Sequence, residues 1–270
     1  MPRNAQTILA TLSLLILGTN TLNSLSVTFS AHRRELPLDV PAHAPLATHA
    51  SHSHKITVII ERPRREDVAE LCQLFIQHFG YIYTAIFDTS VRLTYRIVKS
   101  VLVSGRGRHL LGYKAFHIAR GPESHEILGF LVVITADSNR FFPQSGAVIR
   151  AALVTIRYLG IVGLVRTFRN LRKLGSLVST TASDELYILY VAVRPTARHH
   201  QVGSQLIAFA NSLAAEQQMR LLTLEVREAN NSAQQFFTAL GFANTHVIHS
   251  PGDEILGRGG RIRMTRKVEP

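Results

Sequence analysis

The feature that most constrains this 270-residue chain is a strand that passes through a short turn into a helix. The strand is predicted over Glu185–Val193; Pro195 follows it, and Gly203-Ser204 opens the helix. The first N–H groups of a helix have no intrahelical acceptor and lie at the positive end of its dipole. Such a turn is an anion site suited to a pyrophosphate. Its order, P-x-x-R-x-x-x-x-G-S, differs from the G-x-G-x-x-G of dinucleotide folds and disfavours that fold.

Apolar periodicity predicts further elements on both sides of this turn. Downstream lie a second strand over 221–230 and a short helix that ends before Gly241-Phe242. Upstream, the patterns predict an edge strand stopped by Pro63, helices over 65–79 and within 81–104, and a hairpin of strands over 111–119 and 127–136. The chain is therefore expected to be an α/β protein.

The charge balance points to an anionic partner. The formal net charge is +12, which suits a phosphorylated cofactor, nucleic acid or an acidic surface. Cys72 is the only cysteine, which excludes an intrachain disulfide and argues against a disulfide-stabilised secreted fold. It lies in a helical apolar pattern, so we expect it to be buried packing and not a nucleophile.

Residues 1–54 are expected to lie outside the folded domain. Residues 1–34 contain no acid and include the apolar run Thr7–Gly18, about half the length needed to cross a bilayer. A signal peptide, an organellar transit segment, a membrane anchor and an unstructured tail all fit, with any membrane or targeting contact made through residues 7–27. Residues 35–54 have the composition of a linker. No metal site is predicted, because four linker histidines lack ligand spacing: His43, His49, His52 and His54.

A basic insertion separates the hairpin from the strand at 185. Residues 138–183 contain no Asp or Glu, and their apolar residues recur at helical spacing with a break expected near Gly160 or Gly163. A lid over a cleft, a membrane-surface helix, a nucleic-acid contact and a helical pair packed on the sheet are the alternatives. We predict packing on the sheet with a partial lid, and rank nucleic acid last because only Tyr158 and Phe168 interleave the arginines.

From about Lys55 to Val268 the chain resembles the GNAT family of N-acetyltransferases. Three motifs carry the resemblance: Tyr190-Val-Ala-Val-Arg-Pro195-x-x-Arg198-x-x-Gln201-x-Gly203-Ser204, Leu224-Glu-Val226-x-x-x-Asn230-x-x-Ala233, and Phe237-x-x-x-Gly241-Phe242 with a closing strand at Arg261–Thr265. The resemblance implies a mixed, mostly antiparallel sheet flanked by helices. It places an acetyltransferase domain over 55–268, with the helical insertion 138–183 between the third and fourth strands.

The resemblance also implies an acetyl-CoA site. The backbone of Val191, Ala192 and Val193 would pair with the pantetheine arm like an added strand. Asn230 would hydrogen-bond locally or to the cofactor arm, and Phe237 stands where the family often has a tyrosine that protonates the leaving thiolate. The pyrophosphate would be held by Arg198 and by the backbone amides of His199, His200, Gln201, Val202, Gly203 and Ser204.

Several positions depart from the family pattern. Gln201 replaces a frequent glycine, and its N–H stays available if its φ is negative. Phe237 has no proton to give, so water or Tyr190 would protonate the thiolate, or nothing would. The position of the carboxylate that some members carry on the fourth strand falls on Tyr187. Glu185, two residues upstream on the same face, is then either a base acting through water or a solvated carboxylate.

The sequence thus predicts an enzyme that transfers acetyl from acetyl-CoA to a primary amine by direct attack. The alternative is a catalytically weakened module that binds acyl-CoA or acts through its basic surface. The acceptor, a small molecule or a protein, is not readable, and a homodimer is left open. We expect a cytoplasmic protein, with organelle targeting or membrane anchoring through the N-terminal segment as the alternative.

Overall fold

The computed structural model describes residues 56–105, 112–122, 125–136, 145–174, 181–256 and 259–269. Residues Ser51–Pro270 form one compact unit built around a seven-stranded sheet. The N-terminal segment, the linker histidines and residues 137–144 lie outside the described residues. The predictions for these segments, and the domain boundaries at 55 and 268, stay predictions.

The sheet contains these strands: β1 (Ile59–Glu61), β2 (Phe116–Arg120), β3 (Ile127–Thr135), β4 (Glu185–Val193), β5 (Leu221–Arg227), β6 (Ala243–Ile248) and β7 (Arg261–Lys267). The helices are α1 (Val68–Phe87), α2 (Val91–Ser104), α3 (Ser145–Leu174), α4 (Val202–Glu216), α5 (Asn231–Ala239) and α6 (Pro251–Ile255).

The strand order is β1-β2-β3-β4-β5-β7-β6. Among the strand pairs of the described residues, only β4–β5 is parallel, with α4 as the crossover between its strands, and the others are antiparallel. The predicted fold class, a mixed and mostly antiparallel sheet flanked by helices, is confirmed.

Each face of the sheet carries its own apolar core. On one face, Leu206 and Ile207 of α4 pack with Leu222 and Leu224 of β5. On the other, α1 and α2 cover β2 and β3, with Phe130 fully buried at the centre. Alternate residues of a strand pack into the two cores, because successive side chains point to opposite faces of the sheet. Cys72 is buried in the second core, as predicted.

The helical predictions upstream of the sheet differ from the structure mainly in their bounds. The first helix runs on to Phe87 and ends at Asp88, whose φ is 49°, and α2 then begins after Ser90, whose hydroxyl accepts the Leu93 N–H at 3.4 Å. The hairpin's first strand begins at Phe116 instead of 111, because residues 113–115 form a 3-10 turn.

The insertion is helical and broken at Gly160, one of the two predicted positions. Gly160 has φ 68° and ψ −177°, which only glycine adopts without strain, so α3 is two helices joined at a kink. The packing prediction was wrong in one respect. The helix packs on α1 and α2 instead of on the sheet: the Tyr158 and Ser100 hydroxyls lie 3.1 Å apart, and Asn170 donates to the Ile86 carbonyl at 3.1 Å.

Candidate functional site

A gap opens between β4 and β5 halfway along their length. Their pairing runs from Glu185 opposite Leu221 to Ile188 opposite Leu224 and then stops, although β4 continues to Val193. On the other side, β4 stays paired with β3, but the register shifts so that Leu189 is an extra residue. Such a bulge bends the strand that carries it. We attribute the parting of β4 from β5 to this bend.

Backbone groups of β4 face the gap. The Arg194 N–H donates to the Leu128 carbonyl of the neighbouring β3 segment at 2.8 Å. Because backbone groups alternate between the two edges of a strand, the N–H groups of Val193 and Val191 point away from β3, toward the gap. Ala192 does not fit its predicted role. Its carbonyl faces β3, only 2.8 Å from where a Cβ on Gly129 would lie.

The chain leaves β4 next to the start of α4. A 3-10 turn spans Pro195–Ala197, and the first intrahelical bond of α4 is donated by the Gln205 N–H to the Gln201 carbonyl at 3.0 Å. The N–H groups of Val202, Gly203 and Ser204 therefore precede the hydrogen-bonded part of the helix, at its positive end. The turn and the helix N-terminus predicted from the sequence are therefore present directly after the gap-lining strand, and anion binding there stays a prediction.

The condition stated for Gln201, a negative φ, is not met. Its φ is +61°, in the left-handed region, and its side chain makes no capping hydrogen bond. His199 also has a positive φ, 66°. The tight turn therefore contains two non-glycine residues in the left-handed region. Glycine adopts this region without strain, so a glycine at position 201 would suit the backbone. The Gln201 N–H is positioned by a strained residue and not by a relaxed one.

Gly203 has a packing reason that the sequence did not show. A Cβ there would lie 3.1 Å from Cζ of Phe236 and 3.5 Å from Cγ2 of Val193. The missing side chain therefore lets the Phe236 ring reach the start of α4 beside the gap. The sequence interpretation, in which glycine serves close approach to a phosphate, stays a prediction beside this packing reason.

The outer rim of the turn is basic. Arg198 is exposed, and His200 is half-buried with its carbonyl accepting the Ile56 N–H at 3.3 Å. Burial, and secondly the Arg198 guanidinium, lower the pKa of His78 on α1.

Three aromatic side chains of α1, those of Phe75, Phe79 and Tyr83, form an aromatic wall beside the bulged part of β4. The Tyr190 ring lies 4.7 Å from the Phe79 ring and 5.2 Å from the Phe75 ring, between centroids. Its hydroxyl lies 3.2 Å from that of Tyr83. Burial raises the pKa of both tyrosines, so both hydroxyls keep their protons at neutral pH. Tyr83 was not among the site residues predicted from the sequence. The spacing of four residues between Phe75, Phe79 and Tyr83 nevertheless places all three on one face of the helix.

Glu185 and Tyr187 lie at the closed end of β4. Glu185 is ion-paired with Arg263 at 2.6 Å and accepts the Ala182 N–H at 3.1 Å. It lies about 13 Å along the strand from Leu189. The carboxylate is therefore neither solvated nor aimed at the gap, contrary to both interpretations of it. Tyr187 is buried on the same face, where burial first and the Glu225 carboxylate second raise its pKa well above its usual value.

The two remaining predicted residues serve the fold of α5. Asn230 caps the helix by accepting the Ala233 N–H at 3.2 Å, which is the local alternative considered for it. Phe237 is 6% exposed and packs against Phe236 and Phe242, so it belongs to the core beneath the sheet.

Comparison with known proteins agrees with this geometry. The acetyltransferase (GNAT) family model matches residues 122–242, a range that includes the gap, the turn and α5. A crystal structure of an acetyltransferase aligns with a TM-score of 0.54 at 16% identity, covering 78% of this chain and 100% of that one. An N-acetyltransferase from Staphylococcus aureus Mu50 aligns with a TM-score of 0.51 at 12% identity, covering 77% and 100%.

A search of curated proteins gives no match, and the two structural likenesses establish the fold. The gap, the turn and α5 all lie within the segment that the family model matches. Residues 122–242 are similar to the acetyltransferase (GNAT) family.

Proposed function

We propose that the protein transfers an acetyl group from acetyl-CoA to a primary amine. The observation that carries the proposal is the parting of β4 from β5 after Ile188, directly followed by the open N-terminus of α4. An extended amide-bearing arm fits the gap, where it can pair with β4 as an added strand. The diphosphate at the end of such an arm suits the helix N-terminus.

In the proposed reaction, the uncharged amine attacks the thioester carbon. The carbonyl oxygen becomes negative in the tetrahedral intermediate and accepts a hydrogen bond from a backbone N–H facing the gap, that of Val193. The C–S bond then breaks, the amide forms, and the amine's surplus proton is released. The thiolate takes a proton from the Tyr190 hydroxyl, and Tyr83 resupplies it across the 3.2 Å contact. Solvent, which took up the amine's proton, then returns one to Tyr83, so the reaction consumes and releases no net proton.

The positive rim of the site gives a first test. Arg198→Gln removes a charge beside the helix N-terminus, whereas Arg220→Gln removes one from a side chain that is 82% exposed and remote from the turn. We expect the first variant to bind acetyl-CoA about tenfold more weakly, because charge-assisted contacts to phosphate are the strong ones. The second should bind like the wild type. Equal affinity in both variants would contradict the proposed phosphate site.

A second test separates catalysis from binding. Acetyl-CoA should raise the melting temperature, and an amine acceptor should then release free CoA thiol. Thiol reagents suit this assay because Cys72 is fully buried, and burial raises the pKa of its thiol to about 12.

The second candidate function is a weakened acyl-CoA-binding module, favoured by the strained Gln201 and by Phe237 in place of a proton donor. Thermal stabilisation without thiol release across a panel of amines would support the module. No stabilisation by acetyl-CoA would contradict both functions.

A further inference from the structure

The outer face of α3 is apolar and exposed. Of the nine large apolar side chains that are exposed in the described part of the chain, six lie on this helix: Ile149, Leu153, Ile161, Val162, Val165 and Leu171. Val162 is 73% exposed. Several exposed apolar side chains on one helix mark an interaction site more often than isolated apolar residues do.

The opposite face of α3 is fixed to the domain. Thr155 and Thr167 are buried, Tyr158 contacts Ser100, and Asn170 donates to two carbonyls at the end of α1. Gly146–Leu174 is long and apolar enough to cross a membrane by length and composition. The kink at Gly160 and these polar contacts to α1 and α2 favour a helix that lies along a surface over one that spans it.

Charge identifies what this face fits. Exposed basic side chains accompany the apolar ones: Arg157, Arg169, Arg172 and Lys173. Residues 138–183 contain no acid to neutralise them. Arg166 is the exception, since it pairs with Asp88 of the domain at 3.3 Å. An apolar face with basic residues along it is the pattern of helices that lie in the headgroup region of anionic bilayers.

Like charge disfavours the other occupants of this face. A second copy would bring the same unneutralised basic residues against these. The N-terminal apolar segment, residues 1–34, also contains no acid, so it offers nothing to neutralise them. An anionic lipid surface supplies both the apolar medium and the opposite charge.

We propose that α3 docks the domain onto an anionic membrane surface, with its apolar face among the headgroups and acyl chain ends. This inference does not depend on the acetyl transfer proposed above. It makes α3 a membrane contact within the folded domain, whatever residues 1–54 do.

The absence of tryptophan from the chain allows a clean probe. Val162→Trp and Val91→Trp each place a single indole at an exposed valine in the full-length protein, the first on α3 and the second on α2. With phosphatidylcholine vesicles containing phosphatidylserine, we expect a blue shift of emission from position 162 and none from position 91. No shift at 162, equal shifts at both positions, or an equal shift with phosphatidylcholine alone would overturn the proposal.

Charge substitutions test the same face by affinity. Val165 and Val91 are both 60% exposed, so Val165→Glu and Val91→Glu make the same change at matched positions. We expect at least about tenfold weaker vesicle binding for the first, because a carboxylate opposes both the apolar contact and the lipid charge. Vesicle binding by Val165→Glu that equals that of the wild type would overturn the proposal. A blue shift of the Val162→Trp emission on addition of duplex nucleic acid, or on raising the protein concentration without vesicles, would also overturn it, because either shift would indicate a different occupant of this face.

Discussion

The hydroxyls of Tyr83 on α1 and Tyr190 on β4 lie 3.2 Å apart, and this contact joins the aromatic wall to the strand at its bulge. Tyr190 follows the extra residue Leu189, so it lies where β4 parts from β5. In the proposed reaction, this pair would lie beside the thioester and offer the proton that Phe237 cannot supply.

Replacing Tyr190 by Phe should therefore slow the proposed reaction. We expect kcat to fall by about 100-fold, the lower end of the contribution of a positioned acid, with little change in KM for acetyl-CoA. Tyr95→Phe is the control, since its hydroxyl bonds to the Ala69 carbonyl within the α1–α2 pair. Thiol release under saturating substrate measures the effect. An unchanged kcat in Tyr190→Phe would leave water as the proton source.

The protein should lose stability in alkali through buried acids whose pKa is higher in the folded than in the unfolded chain. Burial raises the pKa of Cys72 from 9.0 to about 12 and that of Tyr83 well above 10.0. Above pH 9 the unfolded chain loses these protons first and binds fewer of them than the folded chain. The share of the free energy of unfolding that comes from these protonated groups is therefore complete below pH 9. It is lost as the pH rises toward 12. The slope is about 1.4 kcal/mol per pH unit for each group.

Cys72→Ala should make that alkaline decline shallower by about 1.4 kcal/mol per pH unit between its two pKa values. Urea unfolding at a series of pH values measures it. The substitution also lowers stability at neutral pH by leaving a small cavity, so the slopes are compared and not the absolute values. Parallel curves for the two proteins would show that the thiol ionises equally easily in the folded state.

Gln201→Gly should stabilise the protein. The φ of +61° costs a non-glycine residue about 1 kcal/mol, and glycine removes most of that cost. Gln217 at the other end of α4 has φ −92°, so Gln217→Gly should instead destabilise by about 0.5–1 kcal/mol. Urea denaturation of the two variants tests the sign. A loss of stability in Gln201→Gly would mean that the side chain contributes more than the backbone conformation costs.

Glu185→Gln should damage the fold more than the chemistry. It leaves the buried Arg263 guanidinium without its 2.6 Å partner, and breaking such a pair costs about 3 kcal/mol or more. Asp184→Asn is the matched control, because its partner Arg220 is 82% exposed and surface pairs contribute less than about 1 kcal/mol. Unfolding and thiol release are measured on the same samples. A large fall in kcat with full stability would restore Glu185 as a candidate base.

Gly160→Ala should destabilise the domain by about 1–3 kcal/mol, because alanine is strained at φ 68° and ψ −177°. Gly146→Ala in the same helix is the comparison. A Cβ there would meet only the flexible end of Arg150, at 3.3 Å, so alanine should be neutral or stabilising. Thermal unfolding distinguishes the two. Equal stability of both variants would indicate that α3 straightens without cost.

Local patterns account for most of what the sequence predicted correctly. The apolar run of β4, the turn at Pro195 and the opening of α4 are short-range features, so the strand, the turn and the helix start could be predicted from the sequence. The break at Gly160 could be predicted for the same reason. The exposed edge strand β6 was not predicted, because Ala243–Ile248 shows no alternation of apolar and polar residues.

Residue roles were harder because they depend on partners far along the chain. The sequence could not show that Glu185 meets Arg263, 78 residues away, or that Tyr83 meets Tyr190, 107 residues away. The packing of Gly203 beneath Phe236 depends in the same way on how α5 folds back over α4. Each of these contacts changed the interpretation of a candidate site residue.

By itself, the sequence determined the order of the elements up to α5, the family resemblance and the acid-free insertion, since all three depend on neighbouring residues. Only the tertiary structure decided where β4 parts from β5, which hydroxyls border that gap, and which face of α3 remains uncovered. The physical reason is that strand register, buried ion pairs and exposed surface are set by contacts between distant segments. Periodicity predicts an element, and packing decides what its side chains meet.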